Sequence, residues 1–398
     1  MSEILKGNLL YGQGGGPTSI LNTSAYELFK EAFKHEEIQE IYAAHYGIKG
    51  IINDDLILIK NDLGLDKLKN TPGAYYGSSR YKLDDFSLNE KDYIKILNTF
   101  KKYNIRYFFY NGGNDSMDTI RKIDEYFLKV NYECRTIGII KTIDNDLPVT
   151  DFSLGYISAA KFIINTVIEI SLDDLSYDVG RVNIIETMGR NVGWLAASTK
   201  LACLKGLEPD LIYVPETNFN LDDFLLRIKK IYESKHRAIV VVSEGIHDEN
   251  NHFIFETIKK DDGFGHNQLG GVASVLASII SQKLGYKTRS FELSLLQRAD
   301  SVSENKIEKN IAKKLSQYAL KCALKGASNQ CAIINRLNDS PYRYNFKLAS
   351  INQIANSEKY LPKEYIGKDN CSINNSFINY LAPLIGGEKE LLDIYKKK

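Results

Sequence analysis

One apolar run of the sequence ends in a cluster of charged side chains. Residues 136–140 read TIGII, and residues 141–146 that follow read KTIDND. Charged groups directly after an apolar strand are costly to desolvate unless they bind a ligand or an ion. The charged residues are Lys141, Asp144 and Asp146, and phosphoryl transfer would use all three. One carboxylate can take a proton, the other can hold magnesium, and the lysine can neutralise phosphate oxygens. The alternative is a surface turn with an aspartate cap.

Two glycine-rich turns also follow apolar runs. Residues 12–17 read GQGGGP and residues 112–116 read GGNDS, and a helical pattern begins after each turn. Glycine lets the backbone approach a ligand closely, and free N–H groups at a helix N-terminus favour a phosphate. The first turn lacks the Lys-Ser/Thr ending of a Walker loop. Either turn could instead be a tight connection, and Asn114, Asp115 or Ser116 could be a helix cap.

Short β-rich runs alternate with helical periodicity along most of the chain. We predict strands at 8–11, 40–46, 107–110, 136–140, 182–186, 211–214, 238–242 and 331–334. Helices are predicted at 19–34, 89–104, 115–130, 193–205, 221–234 and 303–325. This alternation is typical of an α/β protein with parallel strands and crossover helices. Ligands of such sheets bind outside the carboxyl ends of the strands, where the polar motifs lie.

Composition excludes several classes of function. Lys and Arg number 51 against 50 Asp and Glu, which gives a net charge of +1 and no global attraction to nucleic acid or anionic lipid. No apolar run approaches the roughly 18 residues that span a bilayer, and the N-terminus does not resemble a signal peptide. We therefore expect a cytoplasmic protein with no membrane partner.

The cysteines and histidines do not form a recognisable metal site. Five cysteines without a C-x-x-C pair indicate reduced thiols, at positions 134, 203, 322, 331 and 371. His247 and His252 are separated by acidic and amide residues, and this spacing fits no known ligand pattern. We interpret the segment as a solvated turn.

An ordered series of motifs resembles the 6-phosphofructokinase family over residues 8–300. The motifs are, in chain order, GGGPTSILN, YYGSSR, GGNDS, KTIDND, RVNIIETMGRNVGWLA, SEGI, FGHNQLGG and TRSFELSLLQR. A single GG-x-D-S would be weak, whereas the ordered series is specific. The resemblance implies two Rossmann-like lobes with mainly parallel sheets and a cleft between them. It assigns 1–156, with part of 299–350, to the phosphoryl-donor lobe and 157–298 to the sugar-phosphate lobe, and leaves 351–398 as a C-terminal extension.

The activity that the resemblance implies is phosphoryl transfer to the 1-hydroxyl of fructose 6-phosphate, with Mg²⁺ as cofactor. Asp144 matches the catalytic base, and Lys141 and Arg190 match residues beside the transferred group. Residues that match metal-side positions are Asn114, Asp115 and Asp146. Residues that match substrate contacts are Gly15, Arg80, Asp115, Ser116, Thr142, Arg181, Met188, Gly189, Glu244, Arg289 and Arg298. Among these, Arg181 and Arg289 often reach the site from a neighbouring subunit, which implies a homodimer or homotetramer.

Two positions indicate pyrophosphate as the donor. Asp115 stands where ATP-using members of the family carry glycine, and its carboxylate would crowd and repel an α-phosphate. Lys141 also stands where those members usually carry glycine, and its ammonium could balance pyrophosphate. The FGHNQLGG segment resembles the same branch. The reaction would then be reversible and would serve glycolysis or gluconeogenesis.

Two departures from the family pattern keep alternatives open. Asn114 replaces a more usual aspartate beside magnesium, and Leu295 departs from the polar or aromatic residue usual near the last substrate arginine. One alternative is an ATP-dependent enzyme that tolerates Asp115 through a shifted loop. Another is a non-catalytic regulatory subunit of the same fold.

Overall fold

The computed structural model describes residues 5–254 and 271–386. Its strands are β1 Gly7–Gln13, β2 Ile38–Ala44, β3 Leu56–Leu58, β4 Ile105–Gly112, β5 Arg135–Thr142, β6 Leu154–Gly155, β7 Val182–Thr187, β8 Leu211–Tyr213, β9 Ala238–Ser243, β10 Thr288–Glu292, β11 Gln330–Asn338 and β12 Arg343–Ser350. Its α-helices are α1 Leu21–Ala32, α2 Ile48–Ile52, α3 Glu90–Lys102, α4 Asn114–Lys129, α5 Tyr156–Leu175, α6 Trp194–Ser198, α7 Leu221–Lys235, α8 Val272–Leu284, α9 Leu296–Ala299, α10 Lys306–Leu324 and α11 Ser376–Ile385. Short 3₁₀ helices cover Leu65–Asn70, Thr199–Lys205, Ile351–Gln353 and Lys363–Tyr365.

The described residues separate into two compact units. Unit 1 contains residues 5–157 and 298–359, and unit 2 contains residues 158–254, 271–297 and 360–386. The chain therefore changes unit three times, after Ile157, after Gln297 and after Lys359. Within the predicted C-terminal extension 351–398, residues 351–359 belong to unit 1 and residues 360–386 to unit 2.

Unit 1 is built on one sheet with the strand order β12-β11-β5-β4-β1-β2-β3, in which β6 also pairs with β5. The pairs that involve β1, β4 or β5 are all parallel, whereas β3 and β12 join the edges antiparallel. The central strands are buried on both faces, as expected for a parallel sheet covered by helices. This confirms the predicted α/β class with mainly parallel strands.

One buried carboxylate attaches helix α10 to this sheet. The helix begins at Lys306 because the Asn305 side chain accepts a hydrogen bond from Glu308 N at 2.9 Å, which is an N-cap. The Glu308 side chain is fully buried and accepts from Gly155 N at 2.7 Å and from Ile157 N at 3.2 Å. Helix α10 is therefore integral to unit 1.

Unit 2 contains a four-stranded parallel sheet in the order β10-β7-β9-β8. Its core joins aliphatic side chains of β7 and β9 to an aromatic group formed by Tyr213, Phe219 and Phe224. The predicted helix at 193–205 is instead the short helix α6 followed by a 3₁₀ helix. Across both described ranges, no helix is long and apolar enough to cross a membrane.

Candidate active site

Three neighbouring strands of unit 1 bring the polar motifs together. Strands β1, β4 and β5 are adjacent and parallel, and their register pairs Gln13 with Asn111 and Gly112 with Ile140. The turns that follow the three strands therefore begin at the same edge of the sheet. The glycine-rich turn, the GGNDS motif and the KTIDND motif are each predicted from sequence at a strand end, and the fold makes them neighbours.

The two glycine-rich turns pack closely around one hydroxyl group. The carbonyl of Asn111 accepts a hydrogen bond from Gly14 N at 2.9 Å. A Cβ added to Gly14 would lie 2.5 Å from Ser116 Oγ, and a Cβ added to Gly112 would lie 2.0 Å from the same atom. Both positions therefore exclude a side chain, because the buried Ser116 occupies the space.

Cationic groups surround the first turn. The Lys141 ammonium donates a hydrogen bond to the carbonyl of Gly16 at 2.6 Å. A Cβ added to Gly15 would lie 3.3 Å from Lys141 Nζ, and one added to Gly16 would lie 2.5 Å from Arg298 Nη1. The turn is thus bordered on two sides by positive charge, which suits a phosphate group.

A cavity of about 460 Å³ opens beside this turn. Five of the predicted substrate residues line it, namely Gly15, Arg80, Asp115, Ser116 and Arg298. Sequence reasoning did not select Tyr81 and Lys82, which also line it. Lys82 lies two positions after Arg80, the last residue of the YYGSSR motif. This repeated spacing of positive charge is the sequence feature that could have identified it. The lining has three cations and one carboxylate, so the cavity favours an anion.

Burial strongly perturbs the lysine of the KTIDND motif. Lys141 is only 2% exposed, and desolvation lowers the pKa of its ammonium to about 8. The charge of Asp144 opposes this effect, while Arg298 adds to it. Desolvation, followed by repulsion from Arg80, also lowers the pKa of Arg298. Lys141 therefore lies within electrostatic reach of Asp144 and Arg298, and Arg298 within reach of Arg80 and Asp144.

The rest of the motif forms a compact turn around Asn145. Asp144 N donates to Thr142 Oγ1 at 3.2 Å, and the fully buried Asn145 has a φ of 57°. Asn145 Oδ1 accepts from Ser153 N at 3.0 Å. The turn therefore presents Asp144 and Asp146 on either side of a fixed residue.

Asp146 has a buried carboxylate oxygen with no hydrogen-bond partner among the described residues. Burial raises the pKa of this carboxyl group above its ordinary value, although hydrogen bonds, including one from Thr142, oppose the shift. A buried carboxylate oxygen without a partner is unfavourable unless something binds it. Within the ranges 5–254 and 271–386, no group of three or more His, Cys, Asp or Glu residues is placed to hold a metal ion.

Asn114, predicted beside the metal, is held by a different part of the chain. Its Nδ2 donates to the carbonyl of Ser357 and its Oδ1 accepts from Asn356 N, both at 2.5 Å. Lys359 in the same segment contacts the KTIDND turn, with its N atom 2.7 Å from the carbonyl of Asp146. Sequence reasoning missed this segment because it lies in a Tyr/Asn-rich region without clear periodicity.

In unit 2, the predicted sugar-side residues follow the neighbouring strands β7 and β9. Met188 N donates to Gln297 Oε1 at 3.2 Å, and Glu244 N donates to the carbonyl of Thr187 at 2.9 Å. Gly189 has a φ of 126° and its carbonyl accepts from Ser243 Oγ at 2.5 Å. Desolvation raises the pKa of Glu244, and a hydrogen bond from Gly189 N and the charge of Arg190 oppose the shift. Met188, Gly189, Arg190 and Glu244 therefore form one group.

The predicted arginines Arg181 and Arg289 lie at the opposite end of this sheet. Arg181 directly precedes β7, and Arg289 pairs with Asn183 near the beginning of β7. At about 3.3 Å per residue along β7, Arg289 lies roughly 16 Å and Arg181 roughly 23 Å from Met188. The Arg181 guanidinium lies 5.1 Å from the centre of the Tyr177 ring, and Arg289 is exposed. Unit 2 therefore does not bring these two arginines to its other predicted residues.

Comparisons with known proteins agree with the motif series. Residues 8–323 match the protein family described as Phosphofructokinase. A relative from Halomonas elongata, named pyrophosphate–fructose 6-phosphate 1-phosphotransferase, is 38% identical over 387 residues, which are 96% of this chain and 92% of the relative. A relative of the same name from Xanthomonas campestris pv. campestris is 38% identical over 393 residues, which are 97% of this chain and 93% of the relative.

Solved structures include a similar fold over nearly the whole chain. The crystal structure of a pyrophosphate-dependent phosphofructokinase from Marinobacter aquaeolei matches with a TM-score of 0.86 and 34% identity. The match covers 97% of this chain and 94% of that chain. The resemblance predicted from the motifs is therefore confirmed. The FGHNQLGG motif, apart from Gly271, lies outside the described residues.

Proposed function

The chain belongs to the phosphofructokinase family, and from this premise we propose that it transfers a phosphoryl group from pyrophosphate to the 1-hydroxyl of fructose 6-phosphate. The products are fructose 1,6-bisphosphate and phosphate. The observation that carries this proposal is the placement of a buried lysine and a carboxylate beside the first glycine-rich turn, residues 12–17. Lys141 Nζ lies 2.6 Å from the carbonyl of Gly16, and Asp115 lines the adjoining cavity.

The charges at this cavity support pyrophosphate over ATP. Arg80, Lys82 and Arg298 line the cavity with positive charge, which suits a small and densely charged anion. The Asp115 carboxylate lines the same cavity and would repel the α-phosphate of a nucleotide. The names of the two relatives described above point to the same donor.

The residues of unit 1 divide the chemistry among themselves. Asp144 takes the proton from the sugar 1-hydroxyl, whose oxygen then attacks the nearer phosphorus of pyrophosphate. Lys141, Arg80 and Arg298 stabilise the negative charge that develops on the transferred group and on the departing phosphate. Thr142 and Ser116 hold the two turns, and Gly15 lets the backbone approach the donor.

Magnesium fits this site, because Asp146 has a buried carboxylate oxygen without a hydrogen-bond partner among the described residues. Asp146 and Asp115 would hold the ion, which binds in phosphoryl-transfer sites through one or two carboxylates and the phosphates of the substrate. A bound magnesium ion supplies charge neutralisation of the phosphate oxygens.

The sugar phosphate is bound by unit 2. Met188 and Gly189 line the sugar, Glu244 accepts hydrogen bonds from its hydroxyl groups, and Arg190 approaches the transferred phosphoryl group. Arg181 and Arg289 act in the site of a neighbouring subunit, because they lie at the opposite end of the sheet from Met188. The active enzyme is therefore a homodimer or homotetramer. We place the reaction in the cytoplasm, where it is reversible and serves glycolysis or gluconeogenesis.

The test is the initial rate of fructose 1,6-bisphosphate formation from fructose 6-phosphate and magnesium, with pyrophosphate or ATP supplied separately. We expect turnover with pyrophosphate and little or none with ATP. Turnover with ATP alone would keep the family but refute the roles of Asp115 and Lys141 in donor choice. No turnover with either donor would favour a non-catalytic regulatory subunit. An Asp144→Ser protein is the matched blank, because it keeps the binding residues but lacks the base.

A further inference from the structure

A four-residue segment late in the chain contacts both catalytic motifs of unit 1. The segment is Asn356–Lys359, and it belongs to unit 1 together with both motifs. One end touches the GGNDS motif at Asn114, and the other touches the KTIDND turn at Asn145 and Asp146. Asn114 and Asn145 are 31 residues apart in sequence, and the segment adds hydrogen bonds between two turns that already follow adjacent strands.

At the first end, the contact uses both halves of the Asn114 amide. Its Nδ2 donates to the carbonyl of Ser357, and its Oδ1 accepts from Asn356 N. The Asn356 side chain adds a hydrogen bond from its Nδ2 to Asp118 Oδ1 at 2.9 Å. An aspartate at position 114 could accept but could not donate, and its charge would face the carbonyl of Ser357. The amide is therefore the chemical group that this contact requires.

At the second end, Lys359 makes a larger set of contacts. Its Nζ lies 3.2 Å from Asn145 Oδ1, 3.2 Å from the carbonyl of Thr150 and 3.1 Å from the carbonyl of Asp151. Its backbone N donates to the carbonyl of Asp146 at 2.7 Å. Asn145, which lies between Asp144 and Asp146, is fully buried, and its φ of 57° falls in the left-handed region. Lys359 therefore fixes the turn that carries both carboxylates.

We propose that Asn114 and Lys359 are positioning residues, which hold the GGNDS turn and the Asp144–Asp146 turn in register through the segment Asn356–Lys359. This inference rests on the proposed function, because it assigns the segment to the placement of the catalytic base and the magnesium ligand. It revises our expectation that Asn114 is a magnesium ligand, since both ends of its amide are engaged by this segment. A displacement of about 1 Å at a reacting group can lower turnover 100-fold, so such positioning has a measurable effect.

The first test compares Lys359→Met with Lys359→Arg. We expect Lys359→Met to lower kcat with pyrophosphate by about 10- to 100-fold while the KM for fructose 6-phosphate changes less than about threefold. Lys359→Arg should recover much of the loss, because a guanidinium can still donate to several carbonyl oxygens. Lys309→Met is the matched control. Lys309 is also partly buried and bridges Glu304 and Asn70, at 2.7 and 3.1 Å, without contacting either turn.

The second test separates positioning from general loss of structure. If Lys359 acts through the turn that carries Asp144, then adding Lys359→Met to Asp144→Ser should lower the remaining rate by less than about threefold. A full 10- to 100-fold further loss in the double variant would overturn the proposal. Near-normal kcat in a folded Lys359→Met protein would overturn it as well.

The third test uses Asn114→Asp, which does not depend on the folding of a Lys359 variant. Positioning by the amide predicts a lower kcat with no decrease in the magnesium concentration that gives half-maximal rate. A magnesium ligand at this position predicts that the added carboxylate lowers that concentration. The second result would refute our assignment of Asn114. Failure of the wild-type protein to use any donor would instead refute the proposed function, and the positioning role with it.

Discussion

Replacement of Lys141 by methionine should make unit 1 more stable and the enzyme less active. The two side chains are similar in length, but methionine carries no charge into a position that is only 2% exposed. Desolvation lowers the pKa of the Lys141 ammonium from 10.5 to about 8. At 1.36 kcal/mol per pKa unit, keeping the charge there costs about 3 kcal/mol at pH 7. Loss of the hydrogen bond to Gly16 offsets about 1 kcal/mol of that gain.

The net expectation is that Lys141→Met raises the free energy of unfolding by about 2 kcal/mol at pH 7. The difference depends on pH in a defined direction. Above pH 8 the folded wild-type protein sheds the proton, whereas the unfolded chain keeps it up to about pH 10.5. The wild-type protein therefore gains about 1.4 kcal/mol of stability per pH unit in this window, and its deficit relative to the variant shrinks.

Urea unfolding followed by far-UV circular dichroism at pH 7 to 9.5 measures this difference. Fluorescence of Trp194, the single tryptophan, reports the unfolding of unit 2. It provides an internal control because the substitution lies in unit 1. Activity should change in the opposite direction, with kcat for pyrophosphate falling by about 100- to 1,000-fold, as when a charge-stabilising donor is removed. A variant that is less stable than the wild type at pH 7, with a gap that is constant up to pH 9.5, would refute the desolvation argument.

Three further substitutions test the site. Asp144→Ser should lower kcat by several orders of magnitude with little change in binding of fructose 6-phosphate, measured by calorimetry; near-normal turnover would remove Asp144 from the mechanism. Asp115→Gly should admit ATP at the expense of pyrophosphate, measured as the ratio of kcat/KM values; an unchanged ratio would contradict the repulsion argument. Gly112→Ala should cost about 1–3 kcal/mol of unfolding free energy, and adding Ser116→Gly should restore part of it; no recovery would show that the Ser116 hydroxyl is not the obstacle.

The unit 1 site was largely predictable because its signals are local. Each polar motif follows a short apolar run, and the parallel α/β pattern places strand ends at one edge of a sheet. Glycines at positions 14 and 112 are explained by the position of Ser116 Oγ. The family assignment followed from the order of the motifs.

Other parts of the fold were missed because their signals are weak or distant. Helix α5 was not predicted, since its 20 residues are largely apolar and show little amphipathic periodicity. Strand β10 is mostly exposed and contains polar residues, so it does not resemble a buried strand. Lys359 gave no local signal because its partners are more than 200 residues earlier in the sequence.

The three changes of unit along the chain have a consequence for biosynthesis. When the ribosome has translated residue 297, unit 1 still lacks strands β11 and β12 and helix α10. Strand β5 then lacks its partner β11 and keeps an open edge at residues 137–139, which can pair with another nascent chain. Arg298 and Lys359 are also still missing, so the incomplete unit would lack one cation of its cavity and the lysine that fixes its catalytic turn. Messages truncated before codon 330 should therefore yield aggregation-prone fragments rather than a partial enzyme, and neither unit can be expressed from one uninterrupted stretch of the gene.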